Sequence, residues 1–384
     1  MTNKRITELD GLRGLAIFLV LVYHYASFNT TRHSLGYYLS LPVQVMWTGV
    51  DLFFILSGFL IGGILIDHKG SPQYFSTFYF RRFHRILPIY YILIASLFIG
   101  TTVWPQSPLF ASAMPLWPYP LFLQNLLSPA VKTFGPPWAG VTWSLAIEEQ
   151  FYLLLPLAVR RFSSKKLLIF VILCVCGAPI LRTIFILKGA QFEQIHPLLP
   201  TRADGLGLGV LVAIIYRSEA AVSYIRRHSA MLYSLGLALL AVVASFMKWE
   251  NWRFIGTIGY TAVDMLYAVV LISVLVLPNP RVQTLLNWRW LRWLGTISYC
   301  VYLVHEPVRA ALFDRWSPGG LVHDPFTFGL TCLGLMITLS IAQVSWILIE
   351  KPLLRRAHLR YQYEGWDKVV AHSADLQDVA LKSS

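Results

Sequence analysis

Two residues in the first apolar stretch of this chain are of types that do chemistry inside a membrane. Leu12 to Phe28 reads LRGLAIFLVLVYHYASF, with Arg13 at its start and His24 deep within it. Eleven positions are about three helical turns, so both side chains share one helix face, ~16 Å apart along the axis. If the helix spans a bilayer, Arg13 sits at one water boundary and His24 well inside. An ionisable group at that depth is costly and marks a candidate functional site. A histidine bonded to a neighbouring helix, with Arg13 reaching back to water, would look the same. Glu148 and Glu149 lie in a second such run, WSLAIEEQFYLLLP. Adjacent helical residues point ~100° apart, so at most one of them faces a given partner. Either pairs with a basic group elsewhere, or one orients His24 and makes it a better base.

The elements that must position these groups are long apolar helices. The 384 residues are 56% hydrophobic and 13% charged, with mean hydropathy +0.57; soluble proteins carry about 25% charged residues. The expected fold is all-α, a polytopic membrane protein of about ten transmembrane helices. They are expected near 12–29, 45–66, 86–104, 143–159, 167–187, 203–216, 230–247, 257–277, 294–312 and 326–349. The stretch 105–142 holds eight prolines, a density that opposes a regular span, and is expected outside or re-entrant. With that assignment most basic residues, including those at 81–85, 160–166, 217–227, 281–292 and 351–360, fall on the side of the termini. By the positive-inside rule both termini are cytoplasmic. The net charge of +13 is thereby an orientation signal, and no nucleic-acid partner is expected. No small-residue cleavage site follows the first apolar run, so no cleavable leader is expected. Residues 1–352 are expected in the membrane domain and 353–384 in a polar cytoplasmic tail. Cys174, Cys176, Cys300 and Cys332 all lie in apolar runs and are expected to be small buried hydrophobes; no metal ligands are assigned.

This topology sorts the remaining polar residues into two layers. Arg13, Arg82 and Arg85 belong to the inner layer, where arginines suit an anion such as a phosphate; topology alone would also place arginines there. Arg82 and Arg85, three apart, share a face. The outer half holds His24, Asp51, Glu148, Glu149, Arg202, Asp204 and His305, a set that reads as a polar pocket reached through the bilayer. Ser57 and Gly58 fit a small-residue helix contact equally well.

Five stretches in order, LDGLRGLAIFLVLVYH, GVDLFFILSGFLI, FRRFHRILPIYY, WSLAIEEQFYLLLP and ISYCVYLVHEP, resemble the acyltransferase-3 family of integral membrane proteins from about Ile6 to Pro352. The family's arginine–ten residues–histidine motif falls on Arg13 and His24, and its RxxR motif on Arg82 and Arg85. The chain looks like the form without a fused esterase-like domain. The resemblance implies an O-acyltransferase of the cell (plasma) membrane, with acyl-CoA, by default acetyl-CoA, as co-substrate and no permanently bound cofactor. The acceptor would be an extracytoplasmic or lipid-linked saccharide. On that reading Arg13, Arg82 and Arg85 hold the CoA head and His24 is the general base. Glu148 or Glu149 assists the imidazolium, and Ser57 or Trp143 faces the oxyanion. Asp51, Arg202, Asp204 and His305 would help to bind the acceptor. A proton-coupled transporter is the rival class, since intramembrane His, Asp and Glu would serve it too; a scaffold in a polysaccharide-export assembly, indifferent to changes at His24, is a third.

Overall fold

A computed structural model describes residues 6–26, 42–245, 252–316 and 324–363. All regular structure among the described residues is helical. The elements are α1 (Glu8–Tyr25), α2 (Gly49–Asp67), α3 (Tyr74–Val103), α4 (Gln124–Val131), α5 (Thr142–Arg161), α6 (Ser164–Leu187) and α7 (Leu199–Tyr216). They continue as α8 (Glu219–Arg227), α9 (Ser229–Ser245), α10 (Tyr260–Val276), α11 (Pro280–Leu286), α12 (Arg289–Trp316), α13 (Pro325–Ser345) and α14 (Lys351–Arg360).

Each of the ten expected spans falls on a helix. By length and apolar composition, six of the described helices can cross a membrane, or seven if α8 and α9, bent 78° at their junction, make one broken span. The long helices outside that count are α1, α5 and α12. They carry the charges that lower their hydropathy, among them Arg13, Glu148, Glu149 and Glu306. All three contribute to the candidate site.

Two boundaries differ from the sequence reading. Helix α3 begins at Tyr74, twelve residues before the expected start, so the basic segment FRRFHR is helical and presents Arg82 and Arg85 to the interior. Charge made that segment resemble a loop, yet no Gly or Pro interrupts it before Pro88. At the other end the helix does not stop near 349. It passes through a π-turn at Trp346–Glu350 into α14 and runs to Arg360. The start of the expected polar tail is packed against the bundle: Tyr363 is buried and stacks on His68 at 3.9 Å. Residues 364–384 lie outside the described residues.

The basic ends gather at one end of the bundle. Arg217 at the end of α7 pairs with Asp67 at the end of α2 (2.5 Å). Arg160 at the end of α5 donates to the Lys69 carbonyl. Arg226 donates to the Val276 carbonyl at the end of α10 (3.3 Å), and Arg81 to the Tyr361 carbonyl (2.6 Å). Asn287 reaches Glu8 at the start of α1 (3.3 Å). The stretch 105–142, with α4 within it, joins the opposite ends of α3 and α5. This is the arrangement that alternating spans require.

Helices α6 and α13 are apolar but largely exposed, with Ile172, Leu173, Ile180, Leu187, Met336 and Val344 facing outward. They form the lipid-facing side. Cys176 is exposed on α6, against expectation, while Cys174 and Cys332 are half-buried and Cys300 is buried; all four are free. Helices α2 and α7 are also apolar but buried. They cross at Gly58 and Gly209: a Cβ on Gly58 would meet the Leu206 carbonyl oxygen at 2.1 Å, and one on Gly209 the Ile55 oxygen at 2.2 Å. Helices α1 and α12 cross in the same way at Gly14 and Gly295. With little hydrophobic driving force between helices in lipid, such close approach supplies the packing. Gly209→Leu should therefore part α2 from α7 and lower the melting temperature of the detergent-purified protein by several degrees, an overpacking loss of at least 1–3 kcal/mol.

Candidate active site

Five helices surround a cavity of about 90 Å³. Helix α1 contributes Arg13, α3 contributes Arg82 and Arg85, and α2 contributes Ser57 among apolar residues. Helix α5 adds Glu148 and Tyr152, and α12 adds Ser298 and Tyr299. All three arginines of the two sequence motifs thus line one chamber. Arg13 lies 3.9 Å from Asp10, and Arg82 sits over the rings of Phe78 and Tyr152. The chamber also holds an acid. Glu148 accepts from the Ser57 hydroxyl (2.8 Å), and the single Tyr152 hydroxyl proton is shared between Ser57 Oγ (2.9 Å) and Glu148 (3.2 Å).

This placement corrects two expectations. Glu148 does not orient His24: it is committed to Ser57 and Tyr152 in the arginine chamber. Glu149 points elsewhere by the ~100° step between helical neighbours and lines neither chamber. Ser57 likewise belongs with the arginines and is no oxyanion donor beside His24. Gly58 is the small-residue contact, while Ser57 hydrogen-bonds Glu148 across to α5.

A second cavity, about 230 Å³, holds His24. Its wall is aromatic, with Tyr23, Trp47, Phe134, Trp143, Phe192 and Tyr260, and polar at Asp51, His196 and Arg202. The 105–142 stretch supplies Phe134 and, at its end, Val141, which accounts for its irregular backbone: it closes a chamber instead of crossing the membrane.

The acid that faces His24 is Glu306. Its Oε1 lies 3.5 Å from His24 Nε2. Both Glu306 oxygens accept from Arg309, at 2.8–3.1 Å. His24 Nδ1 lies 2.9 Å from the Val20 carbonyl oxygen. A carbonyl only accepts, so Nδ1 carries a proton and Nε2 is the basic nitrogen of the neutral ring. His305 packs edge-on against His24 with ring centroids 4.8 Å apart. Its Nδ1 is held by the Tyr302 carbonyl (2.7 Å), and its Nε2 is buried with no hydrogen-bond partner among the described residues. Ligand atoms of His24, His305 and Glu306 lie within 4.8 Å of one another, a convergence that no metal assignment in the sequence reading anticipated. Arg309 already matches the carboxylate charge that a cation would need.

The remaining predicted residues divide between wall and support. Trp143 lines the His24 chamber and contacts His196 at 4.3 Å. Asp51 and Arg202 form a buried ion pair in its wall, with Arg202 stacked 4.0 Å over Tyr260. Asp204 does not line the chamber. It is buried behind it, accepting from Arg182 (2.9 Å) and Thr261 (2.6 Å), while Arg182 also donates to carbonyls of Thr201 and of Thr257 in the Ile255–Gly259 π-turn. Sequence reasoning does not single out Glu306 or Arg182. Each carries a signal, a lone charge in an apolar run (LVHEP, ILRTIF).

The family whose description is "Acyltransferase domain" matches residues 6–346. The chain belongs to the acyltransferase-3 family. Its similarity to individual proteins is lower but extends almost end to end. It is 28% identical to a putative peptidoglycan O-acetyltransferase, YrhL, of Bacillus subtilis, over 91% of this chain and 55% of that protein. It is 25% identical to the peptidoglycan O-acetyltransferase OatA of Listeria monocytogenes (94% of this chain, 57% of that one). It is 24% identical to the O-acetyltransferase OatA of Staphylococcus aureus (94% and 59%). The chain spans a little over half the length of these curated relatives. No solved structure matches it.

Proposed function

We propose that the chain is a membrane O-acetyltransferase that moves an acetyl group from acetyl-CoA, bound at the arginine chamber, to a saccharide hydroxyl in the His24 chamber. The observation that carries this reading is the division of the interior. Three arginines line one cavity, and a histidine with an ion-paired acid lines the next. Arginine forks suit the phosphates of CoA, and the ~16 Å from Arg13 to His24 along α1 is of the order of its extended arm. Aromatic walls offer stacking faces to a sugar ring. The relatives' names make a peptidoglycan saccharide the first acceptor to test. The family assignment favours a transferase over the proton-coupled transporter that the buried charges alone allowed.

In the proposed reaction His24 Nε2 takes the proton of the acceptor hydroxyl, and the oxygen attacks the thioester carbonyl. The carbon–sulfur bond breaks as the ester forms, and the thiolate leaves with the proton from the imidazolium. Glu306, held by Arg309, stabilises that imidazolium. Trp143 is the candidate donor to the oxyanion.

Donor binding is the first test. Acetyl-CoA at 100 times its dissociation constant should stabilise the purified protein by ~2.7 kcal/mol. Loss of one charge-assisted phosphate contact in Arg82→Ala should weaken binding roughly ten- to a hundredfold. Equal thermal stabilisation of both proteins would assign Arg82 to topology alone.

A further inference from the structure

Among the described residues the two chambers share two lining residues, Val50 on α2 and Tyr302 on α12. The Tyr302 ring is fixed in place. Its hydroxyl shares a 2.6 Å bond with Ser144 Oγ, donates to the Val141 carbonyl at 3.2 Å, and so ties α12 to the start of α5. The flanking rings of Phe53 and His305, at 6.2 and 5.6 Å, brace it on either side. Ser144 lines the arginine chamber and Val141 the His24 chamber, so the Tyr302 hydroxyl is anchored at the wall between them. Val50 is half-buried one residue before Asp51, whose ion pair with Arg202 holds that turn of α2. On the proposed reading, a thioester whose anionic head stays with the arginines must pass its acyl end between these two side chains to reach His24.

We infer that Val50 and Tyr302 form the neck through which the acyl group passes, and that they set the acyl length the protein transfers. This rests on the transferase reading above. No catalytic role is assigned to either residue. An acyl group passing between this valine and the tethered ring must move packed side chains, an acetyl group with few atoms and each added methylene with more. Hydrophobic sites of this kind separate one methylene by roughly 10–200-fold. Shortening Val50 should relax that discrimination, and enlarging it should block even the acetyl group.

Membrane vesicles carrying the full chain and its own acceptor pool provide the test, with radiolabelled acetyl-CoA and butyryl-CoA as donors. The unchanged chain should transfer acetyl in preference to butyryl. In Val50→Ala the butyryl-to-acetyl ratio should rise at least about tenfold. That ratio does not depend on how much of the variant folds. Val50→Phe should lose at least about tenfold in acetyl transfer. Transfer by the unchanged chain with an unmoved ratio in Val50→Ala would overturn the neck and leave the transferase reading standing. Absence of transfer from either thioester in the unchanged chain would overturn both.

Discussion

His24→Ala should abolish acetyl transfer, with a rate loss of about 10²–10⁴, the range of a positioned general base, while acetyl-CoA still binds. The separation follows from the geometry: His24 and the arginines line different chambers. Removing the imidazole takes away the only nitrogen base that both faces the cavity and is set against a carboxylate among the described residues. Glu306→Gln keeps the shape and the bond to Arg309 but removes the charge opposite Nε2. It should lower the rate roughly 10–100-fold, less than loss of the base itself, because the imidazolium loses its counter-charge but not its position. Steady-state rates with acetyl-CoA, alongside donor binding by thermal stabilisation, check both. A His24→Ala protein that transfers at the unchanged rate would remove His24 from the chemistry, and a Glu148→Gln effect larger than that of Glu306→Gln would return the assisting role to α5.

The largest effect on stability is expected at Arg182, behind the His24 chamber. Its guanidinium is fully buried and bonded to Asp204, Thr261 and the carbonyls of Thr201 and Thr257. Arg182→Met would take from buried Asp204 the cation hydrogen-bonded to it, and breaking a buried pair from one side costs about 3–5 kcal/mol. Replacing both partners, Arg182→Met with Asp204→Leu, removes the stranded charge and should recover much of that loss. Thermal unfolding in detergent distinguishes these outcomes: a double variant no more stable than the single one would mean the two residues do not act as a pair. This outcome also decides the role of Asp204, which the sequence reading gave to acceptor binding and the structure gives to the frame behind the site.

What could be read from the sequence follows a physical division. Span positions were legible because apolar runs report burial in lipid directly, and the common basic end was legible because it depends on loop charge. The shared face of Arg13 and His24 was legible because both lie on one helix, where spacing fixes direction. The partner of His24 was not. His24 and Glu306 are brought together only by the crossing of α1 and α12 at Gly14 and Gly295, and no local pattern distinguishes Glu306 from Glu148 as the acid that arrives there. The same holds for Ser57, which the sequence placed at the oxyanion but whose register on α2 brings it to Glu148 on α5. Helix α3 extends beyond its apolar run because the arginines of the basic segment form the inward face of a helix that lines the arginine chamber, and charge alone does not separate such a face from a loop.

The central claim is that a donor at the arginine chamber serves an acceptor in the His24 chamber through one protein interior. The most direct measurement uses proteoliposomes of fixed protein orientation. Radiolabelled acetyl-CoA is present only on the side of the basic helix ends, and a peptidoglycan-derived disaccharide only on the other. The account predicts labelled ester on the disaccharide, at a rate that falls to background in His24→Ala. Label that appears only when both substrates share one side, or that appears undiminished without His24, would contradict it.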